Sequence, residues 1–190
     1  MKRYFLLCLV LFWLGPCRAA DRWELQYFHD LDDSSLTITD LAFPSATRGV
    51  ATGYLIERDR TKPAVLVTSD GGRNWTFVKF KRPGLSLFFL NESVGWIVTD
   101  KGIWKTGESG RSWKKIPKSP KDVLRVHFLD ENRGWAVGGG KSAWETVDGG
   151  RRWKKLDAVE EVSANPEFTV FSWVSFVGGR FGVVAGASMP

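Results

Sequence analysis

Short apolar runs separated by turn residues recur along the chain, and their length predicts β-strands. The runs at 96–98 and 135–137 each begin with tryptophan directly after a glycine, and polar or glycine residues follow within a few positions. Such runs suit half-buried strands better than the apolar stripe of an amphipathic helix. Each unit of the chain therefore predicts a strand, a turn, a strand, a turn and a strand, which is a small antiparallel meander.

Two short phrases repeat in phase along the chain, about forty residues apart. The first is an acidic turn: TSDGGRNW at 68–75, TGESGRSW at 106–113 and TVDGGRRW at 146–153. The second is a phenylalanine followed six positions later by glycine, at 43–49, 89–95, 128–134 and 176–182. Repetition at this period indicates one supersecondary unit copied several times.

The acidic turn contains residue types that stabilise a tight turn. A short acidic side chain accepts hydrogen bonds from amides of its own turn, and the glycine two positions later adopts positive φ at little cost. The tryptophan at the end of each phrase begins the next strand and is expected to fill the wedge between neighbouring sheets. We therefore assign a structural role to Asp70, Gly72, Trp75, Glu108, Gly110, Trp113, Asp148, Gly150 and Trp153.

These phrases resemble the Asp-box, or bacterial neuraminidase repeat, a motif of β-propellers. Two copies match the Asp-box well, whereas Glu108 replaces aspartate in the middle copy, where a looser turn is expected because the longer side chain reaches its amides less directly. More specifically, FLDENRGWAVGGG and GWIVTDKGIWKTGESGRSW are similar to photosystem II stability and assembly factor propellers. The resemblance implies an all-β propeller of four-stranded antiparallel blades and, in photosynthetic members, a chaperone role.

The repeats predict one propeller domain at 21–190, with units at about 36–80, 85–118, 123–157 and 170–190. Residues 23–28 resemble the strand that follows each acidic turn, so they predict an outer strand without its own blade. The fourth unit stops before an acidic turn. We expect a truncated product or a fragment of a longer propeller, with a small complete four-bladed ring as the alternative.

The first twenty residues have the pattern of a cleaved secretory signal peptide. Lys2 and Arg3 precede an apolar stretch too short to span a bilayer, and small residues lie near Ala20. We therefore expect a secreted or periplasmic protein; a lipoprotein anchor at Cys17 is disfavoured because proline precedes that cysteine. Both cysteines, Cys8 and Cys17, lie in this segment, so the mature domain is expected to lack disulfides.

The charge of the chain gives little support to nucleic-acid binding. The formal net charge of +6 falls to +3 when the three basic residues of the leader are removed.

Two insertions interrupt the repeats: a charged hairpin at 54–63 and an acidic surface segment at 157–167. Surface loops on rigid scaffolds often carry binding, but passive connections are the preferred interpretation for both.

Candidate chemistry is sparse. An Asp-box glycoside hydrolase, similar to sialidases or xyloglucanases, is the alternative function, and it needs two carboxylates converging across a cleft. The acidic turns lie on the blade periphery, away from the channel where propeller ligands usually bind, so we predict no catalytic residue.

The two histidines give little indication of chemistry. His29 beside three aspartates suggests an acidic loop rather than a metal site, and His127 suggests a histidine whose hydrogen bonds are satisfied within a strand. No metal and no cofactor are expected.

One feature favours binding. An arginine follows the turn glycine in all three acidic turns, and further basic residues come directly after it. Equivalent positions on successive blades lie along one edge, so these charges are expected to form an arc that attracts an anionic partner, although a merely solubilising edge is the alternative. This candidate basic arc consists of Arg73, Arg111, Arg151, Arg152, Lys114 and Lys154.

The sequence therefore predicts a secreted or periplasmic, non-catalytic β-propeller scaffold that binds a protein partner. An acidic segment or a membrane-protein subunit is the expected kind of partner, and no transmembrane helix is expected after signal cleavage. The partner's identity, the host and the oligomeric state are left open.

Overall fold

The computed structural model describes residues 25–189, and nearly all of its regular structure is β-strand. The predicted signal peptide, both cysteines and Trp23 lie outside the described residues. Two single-turn 3-10 helices, Asp157–Val159 and Pro166–Phe168, lie between the third and fourth sheets. The all-β prediction is therefore confirmed.

Over residues 25–189, fourteen strands form four antiparallel sheets, and within each sheet the strands follow chain order. Blade 1 contains β1 to β4, blade 2 contains β5 to β8, and blade 3 contains β9 to β12; the fourth sheet contains only β13 and β14. The strands are β1 Ser34–Ala42, β2 Gly49–Glu57, β3 Arg60–Thr68, β4 Thr76–Phe77, β5 Gly84–Phe89, β6 Gly95–Thr99, β7 Gly102–Thr106, β8 Lys114–Lys115, β9 Val123–Phe128, β10 Gly134–Gly138, β11 Ser142–Thr146, β12 Lys154–Lys155, β13 Thr169–Val177 and β14 Phe181–Ser188.

The sheets are arranged radially, as in a β-propeller. The first strand of each sheet contacts the first strand of the next, which gives the row β1, β5, β9, β13. Blades 2 and 3 each pack one face against the sheet before them and the other face against the sheet after them. The described residues thus form an incomplete propeller of three full blades and a two-stranded fourth sheet, as the repeats predicted.

The repeated phenylalanine and glycine form cross-strand pairs. Phe89 lies opposite Gly95, Phe128 opposite Gly134, and Phe176 opposite Gly182. A Cβ atom on Gly134 would lie 2.3 Å from the ring of Phe128, so the ring occupies the space that a side chain would need. The six-residue spacing therefore places an aromatic ring flat on its glycine partner across the first hairpin of each blade.

The other face of this ring contacts the preceding blade. Trp96 of blade 2 stacks on Phe128 of blade 3 with ring centroids 3.8 Å apart and an interplanar angle of 5°. Trp135 of blade 3 stacks on Phe176 of the fourth sheet at 3.5 Å and 6°. Each of these phenylalanines is therefore sandwiched between a glycine of its own sheet and a tryptophan of the sheet before it, a contact that joins successive sheets.

Polar contacts join the innermost strands at one register position, three residues before the repeated phenylalanine. In blade 1, Asp40 accepts a hydrogen bond from the backbone N–H of Leu87 at 2.9 Å. In blade 2, Ser86 donates to the carbonyl of Leu124 at 2.7 Å. In blade 3, the Arg125 guanidinium lies 4.1 Å from the ring centroid of Trp173 in the fourth sheet. Each of the three side chains reaches forward to the next sheet.

The predicted outer strand at 23–28 is not formed over its described part. Residues 25–30 have no strand assignment. A Cβ atom on Gly72 would nevertheless lie 3.7 Å from Oε1 of Gln26, just as one on Gly150 would lie 3.1 Å from Ile116 of the preceding blade. The segment thus passes the first acidic turn at the place that a preceding blade would take, but without forming a strand there.

Both insertions are ordered parts of the fold. The first lengthens β2 and β3 into a long hairpin whose turn residues, Arg58 and Asp59, both have positive φ. The second contains the two 3-10 helices and is held by the buried Lys141, whose Nζ donates to the carbonyls of Glu160 and Val162. Val159 of this segment is buried beside Trp135, so the segment covers part of the core and does not only run over the surface.

The sandwich predicts a position-specific cost of adding a methyl group. Gly134→Ala would drive a Cβ into the buried ring of Phe128, so we expect a loss of about 1–3 kcal/mol in the free energy of unfolding. Gly107→Ala is the matched control because a Cβ there meets no atom within 4 Å. Urea unfolding followed by tryptophan fluorescence measures both; equal effects of the two substitutions would contradict the sandwich.

Candidate functional site

The threonine that opens each acidic turn organises the turn. Thr68, Thr106 and Thr146 are buried, and each hydroxyl oxygen accepts the backbone N–H of the glycine four residues later, at 2.9–3.1 Å. The same oxygen accepts the N–H of the acidic residue. Sequence reasoning gave the acidic residue the main role and missed the threonine, although threonine is invariant among the three phrases.

The two aspartates complete the turn as predicted. Asp70 accepts the backbone N–H of Asn74 at 2.9 Å and its side-chain amide at 2.7 Å. Asp148 accepts the backbone N–H of Arg152 at 2.9 Å and its Nε at 3.0 Å. Gly72 and Gly150 have φ of 92° and 87°, which confirms the predicted positive φ. Each carboxylate is therefore bonded within its own turn.

The middle turn is built differently, as expected for glutamate. The carboxylate of Glu108 accepts from the hydroxyl of Ser112 at 2.8 Å, whereas the aspartates accept a backbone N–H at the corresponding position. Ser109 also adopts a φ of 55°, a conformation that Gly71 and Gly149 supply in the other two turns. The middle turn thus combines a more remote acid with a non-glycine residue in left-handed backbone.

The hydrogen bonds of the two aspartates keep them ionised. Donation from the Asn74 side chain, then from its backbone and from Thr68, lowers the pKa of Asp70 to about 2. The backbone N–H of Arg152, followed by its side chain, lowers the pKa of Asp148 to about 2. A general acid near neutral pH needs a raised pKa. These carboxylates therefore suit turn stabilisation and do not suit proton donation.

The tryptophans of the acidic turns contact the repeated phenylalanines of their own blades. Trp75 meets Phe43 edge-on at 5.9 Å, and Trp153 meets Phe128 edge-on at 6.3 Å. Trp113 makes the same contact with Phe89 and packs in a cluster with Val50 of blade 1. The two phrases that repeat in phase along the sequence thus meet in space at the boundary between blades.

The six residues of the basic arc are all exposed, but they differ in how far acids neutralise them. Arg152 pairs with Asp148, and Lys154 lies 3.3 Å from Asp157. Arg73 donates to the carbonyl of Asp70 at 3.4 Å. Arg111, Arg151 and Lys114 line grooves between blades. The arc is therefore uneven in charge, because Arg152 and Lys154 have acidic partners whereas Arg151 and Lys114 lie together in one groove.

A groove of about 440 Å³ lies between the outer edge of blade 2 and the acidic turn of blade 3. Lys114, Lys115 and Arg151 line it together with Lys105, and Ile116 and Pro117 contribute apolar surface. Lys105 pairs with Glu131 at 2.8 Å, so its charge is partly neutralised. This blade 2–3 groove brings two predicted arc residues, Lys114 and Arg151, into one concave surface. Lys105 was not predicted because it precedes the acidic turn.

The corresponding groove between blades 1 and 2 is smaller, at about 260 Å³. Arg111 and Arg48 line it, but Asp70 lies in the same lining. An anion would meet this carboxylate there, so we consider the groove a weaker anion site than the blade 2–3 groove.

The two histidines lie in ordinary structural environments. His29 contacts Ser34 Oγ at 2.8 Å and Tyr27 Oη at 3.3 Å. Burial beside Phe88 and Phe176 lowers the pKa of His127, against a smaller opposing effect of a hydrogen bond to the Phe176 backbone.

Within residues 25–189, no group of three or more histidine, cysteine, aspartate or glutamate side chains could hold a metal ion. Over the same residues, the structure contains no helix with the length and apolar character needed to cross a membrane.

The fold is similar to that of a solved structure of the protein YCF48. YCF48 from Cyanidioschyzon merolae gives a TM-score of 0.58 at 21% identity, over 80% of this chain and 48% of that chain. This chain thus spans about half the length of that protein, and the likeness shows a shared fold. No family model and no curated protein matches.

Two further solved structures match more weakly. YCF48 bound to D1 peptide gives a TM-score of 0.30 at 13% identity, over 84% of this chain and 96% of that chain. An ancestral GH74 enzyme gives a TM-score of 0.49 at 15% identity, over 70% of this chain and 21% of that chain.

The low pKa values predict how acid destabilises the protein. A carboxylate with a pKa near 2 in the folded state takes up its proton later than in the unfolded chain, so stability is lost as the pH falls from about 4 to about 2. Asp70→Asn and Asp148→Asn should therefore flatten the fall in the urea midpoint over this interval. Asp59→Asn, in the exposed β2–β3 turn, is the control. An unchanged profile in the Asp70→Asn, Asp148→Asn double variant would contradict the assignment.

The middle turn predicts a stabilising substitution. Ser109 has a left-handed backbone conformation that is strained for a residue with a Cβ atom, and Ser109→Gly would remove this strain. We therefore expect a gain of roughly 0.5–1 kcal/mol in the free energy of unfolding. Ser69→Gly, at a turn residue whose φ is negative, should instead lower stability slightly, because glycine gains more freedom in the unfolded chain. Thermal and urea unfolding of both variants test the difference; a loss of stability in Ser109→Gly would count against it.

Proposed function

We propose that this chain is a non-catalytic propeller scaffold that binds an anionic segment of a protein partner in the blade 2–3 groove. The groove accepts a chain that combines acidic and apolar side chains, because basic residues surround the apolar surface of Ile116 and Pro117. An extended peptide is the partner that such a shallow groove fits best.

The observation that supports this proposal most strongly is the charge of the groove. Lys114, Lys115 and Arg151 come from two different blades and line the same surface. Arg151 is the equivalent of Arg73 and Arg111 in the repeat. Basic side chains from two neighbouring blades line the blade 2–3 groove with no aspartate or glutamate among its lining residues, whereas Asp70 lines the groove between blades 1 and 2. Converging charges raise the local potential and the rate of capture of an anionic partner.

The state of the repeated carboxylates supports a role other than catalysis. Asp70 and Asp148 are tied into separate turns, and their low pKa values keep them ionised. A glycoside hydrolase needs one carboxyl group that retains its proton near neutral pH and a second carboxylate across a cleft. The turns of Asp70 and Asp148 supply neither a proton donor nor a pair of carboxylates within one turn.

The likeness of the repeats to photosystem II stability and assembly factors suggests the kind of partner. We propose a segment of a membrane-protein subunit that is being assembled, presented to a scaffold on the secreted or periplasmic side. The solved structure of YCF48 with a bound D1 peptide is an example of a propeller-type protein that takes a peptide. The signal-peptide pattern at the start of the sequence is the basis for the proposed location.

A peptide-binding measurement tests the groove. The probe is a fluorescein-labelled peptide of alternating glutamate and leucine, and its anisotropy is followed at about 20 mM and about 200 mM salt. Lys114→Glu combined with Arg151→Glu should weaken binding by roughly tenfold or more at low salt, because both changes place acids beside an acidic ligand. Arg60→Glu combined with Arg180→Glu makes the same net change of charge at two exposed positions outside the groove lining, and it should have a much smaller effect.

Two results would overturn the proposal. Equal binding by the groove variant and by the Arg60→Glu, Arg180→Glu variant would show that net charge alone attracts the peptide. Hydrolysis of a polysaccharide by the purified chain, abolished by substitution of a single carboxylate, would show that the protein is an enzyme.

A further inference from the structure

Two lysines of blade 2 lie directly opposite each other at the blade 2–3 groove. Lys105 of β7 is the register partner of Lys114 of β8, and both residues line the groove. Like charges at directly opposite positions of an antiparallel strand pair are destabilising. The outer strands of blade 2 therefore concentrate positive charge at a place where it lowers the stability of the sheet.

The equivalent strand positions of the other two full blades avoid this repulsion. In blade 1, Val67 lies opposite Thr76, and neither side chain is charged. In blade 3, Glu145 lies opposite Lys154, so the two charges attract each other. Folded proteins tend to break a local stability rule at functional sites. The lysine pair of blade 2 breaks such a rule in the groove to which we assign peptide binding.

A carboxylate from the next blade neutralises part of this charge. Glu131 lies in the β9–β10 turn of blade 3, and its carboxylate accepts a hydrogen bond from Lys105 Nζ at 2.8 Å across the blade boundary. The Glu131 side chain is 58% exposed. Because water reaches this carboxylate, it can leave Lys105 without becoming a buried, unpaired charge.

Lys105 is held in place by contacts that do not involve Glu131. Its Nζ lies 5.2 Å from the centroid of the Trp96 ring, and this ring is fully buried and stacked on Phe128. The Lys105 side chain is only 28% exposed, so packing along its aliphatic part also restricts it. Loss of the Glu131 carboxylate would therefore free a positive charge at the groove and leave the lysine in position.

We propose that Glu131 competes with acidic ligands for Lys105, and that a bound peptide places one of its carboxylates where the Glu131 carboxylate now lies. This inference rests on the proposed function, because it assigns one affinity-determining contact within the same groove. The lysine pair is then neutralised in both states, by Glu131 in the free protein and by the ligand in the complex. Because one carboxylate replaces another, Glu131 lowers the affinity for acidic peptides and favours their release.

Peptide binding by two charge-matched variants tests the competition. The probe is the fluorescein-labelled peptide of alternating glutamate and leucine, and its anisotropy is followed at about 20 mM salt. Glu131→Gln removes the competing carboxylate, so we expect the peptide to bind roughly three- to fivefold more tightly.

Glu92→Gln is the matched control. Glu92 holds the equivalent position in the β5–β6 turn of blade 2, and the preceding blade has Val67 where blade 2 has Lys105. The control makes the same change of net charge and should have a much smaller effect. Equal tightening by the two variants, or no tightening by Glu131→Gln, overturns the proposal.

A Lys105→Met background shows whether the gain comes from this ion pair. In that background, Glu131→Gln should tighten binding no more than Glu92→Gln does, because the charge that it would free is absent. A gain that persists without Lys105 would show that Glu131 acts through another group, and it would contradict the proposal.

Urea unfolding without peptide separates this inference from the proposed function. Glu131→Gln should lower the urea midpoint of the unmodified chain, because it leaves Lys105 and Lys114 without a neutralising acid, but it should not do so in Lys105→Met. Equal shifts in the two backgrounds would show that the ion pair contributes nothing, and they would overturn the inference whatever the peptide does. If Lys114→Glu with Arg151→Glu weakens peptide binding while Glu131→Gln leaves it unchanged, the groove binds the peptide and the competition alone is wrong. If neither variant changes peptide binding, the proposed function fails as well.

Discussion

The stacked contact of tryptophan, phenylalanine and glycine is the interaction on which the rest of this structure depends. In blades 2 and 3, the ring of Phe128 fills the space above Gly134 and presents its other side to Trp96. The glycine makes the close approach possible, and the tryptophan joins two sheets through a large apolar contact. Because the same contact recurs with Phe176, Gly182 and Trp135, one repeated pair of phrases sets both the hairpin within a sheet and the boundary between sheets.

This construction separates stability from binding. In two of the acidic turns, the threonine hydroxyl donates a hydrogen bond to the aspartate of the same turn, so these carboxylates stabilise the turn. The basic residues that follow these turns are exposed, and they differ in whether an acid lies beside them and in whether they line a groove. Arg152 is paired within its own turn, whereas Arg151 lies in the blade 2–3 groove with Lys114. The arginine after the turn glycine is thus kept in all three turns, while the charge of its surroundings differs from one turn to the next.

Much of the fold could be predicted from the sequence, because the repeats record contacts that are local in sequence. The six-residue spacing of Phe128 and Gly134 corresponds to one hairpin, and the acidic turn closes the next one. Contacts between blades were harder to predict from the sequence. The hydrogen bond that Asp40 accepts from Leu87 joins two residues 47 positions apart, and no short motif contains both. The strand expected before blade 1 is not formed over residues 25–28, since residue pattern alone does not show whether a neighbouring strand is present. For the site, the basic residues were predicted, but pairing of Lys154 with Asp157 and the groove position of Lys105 required the structure.

A double-mutant cycle on Trp96 and Phe128 tests the central contact most directly. Each residue is changed to leucine, alone and together, and the free energy of unfolding is measured in urea. The stacked pair predicts a coupling energy of roughly 0.5–1.5 kcal/mol between the two positions. Additive effects of the two substitutions would contradict the account, because they would show that these rings do not join blade 2 to blade 3.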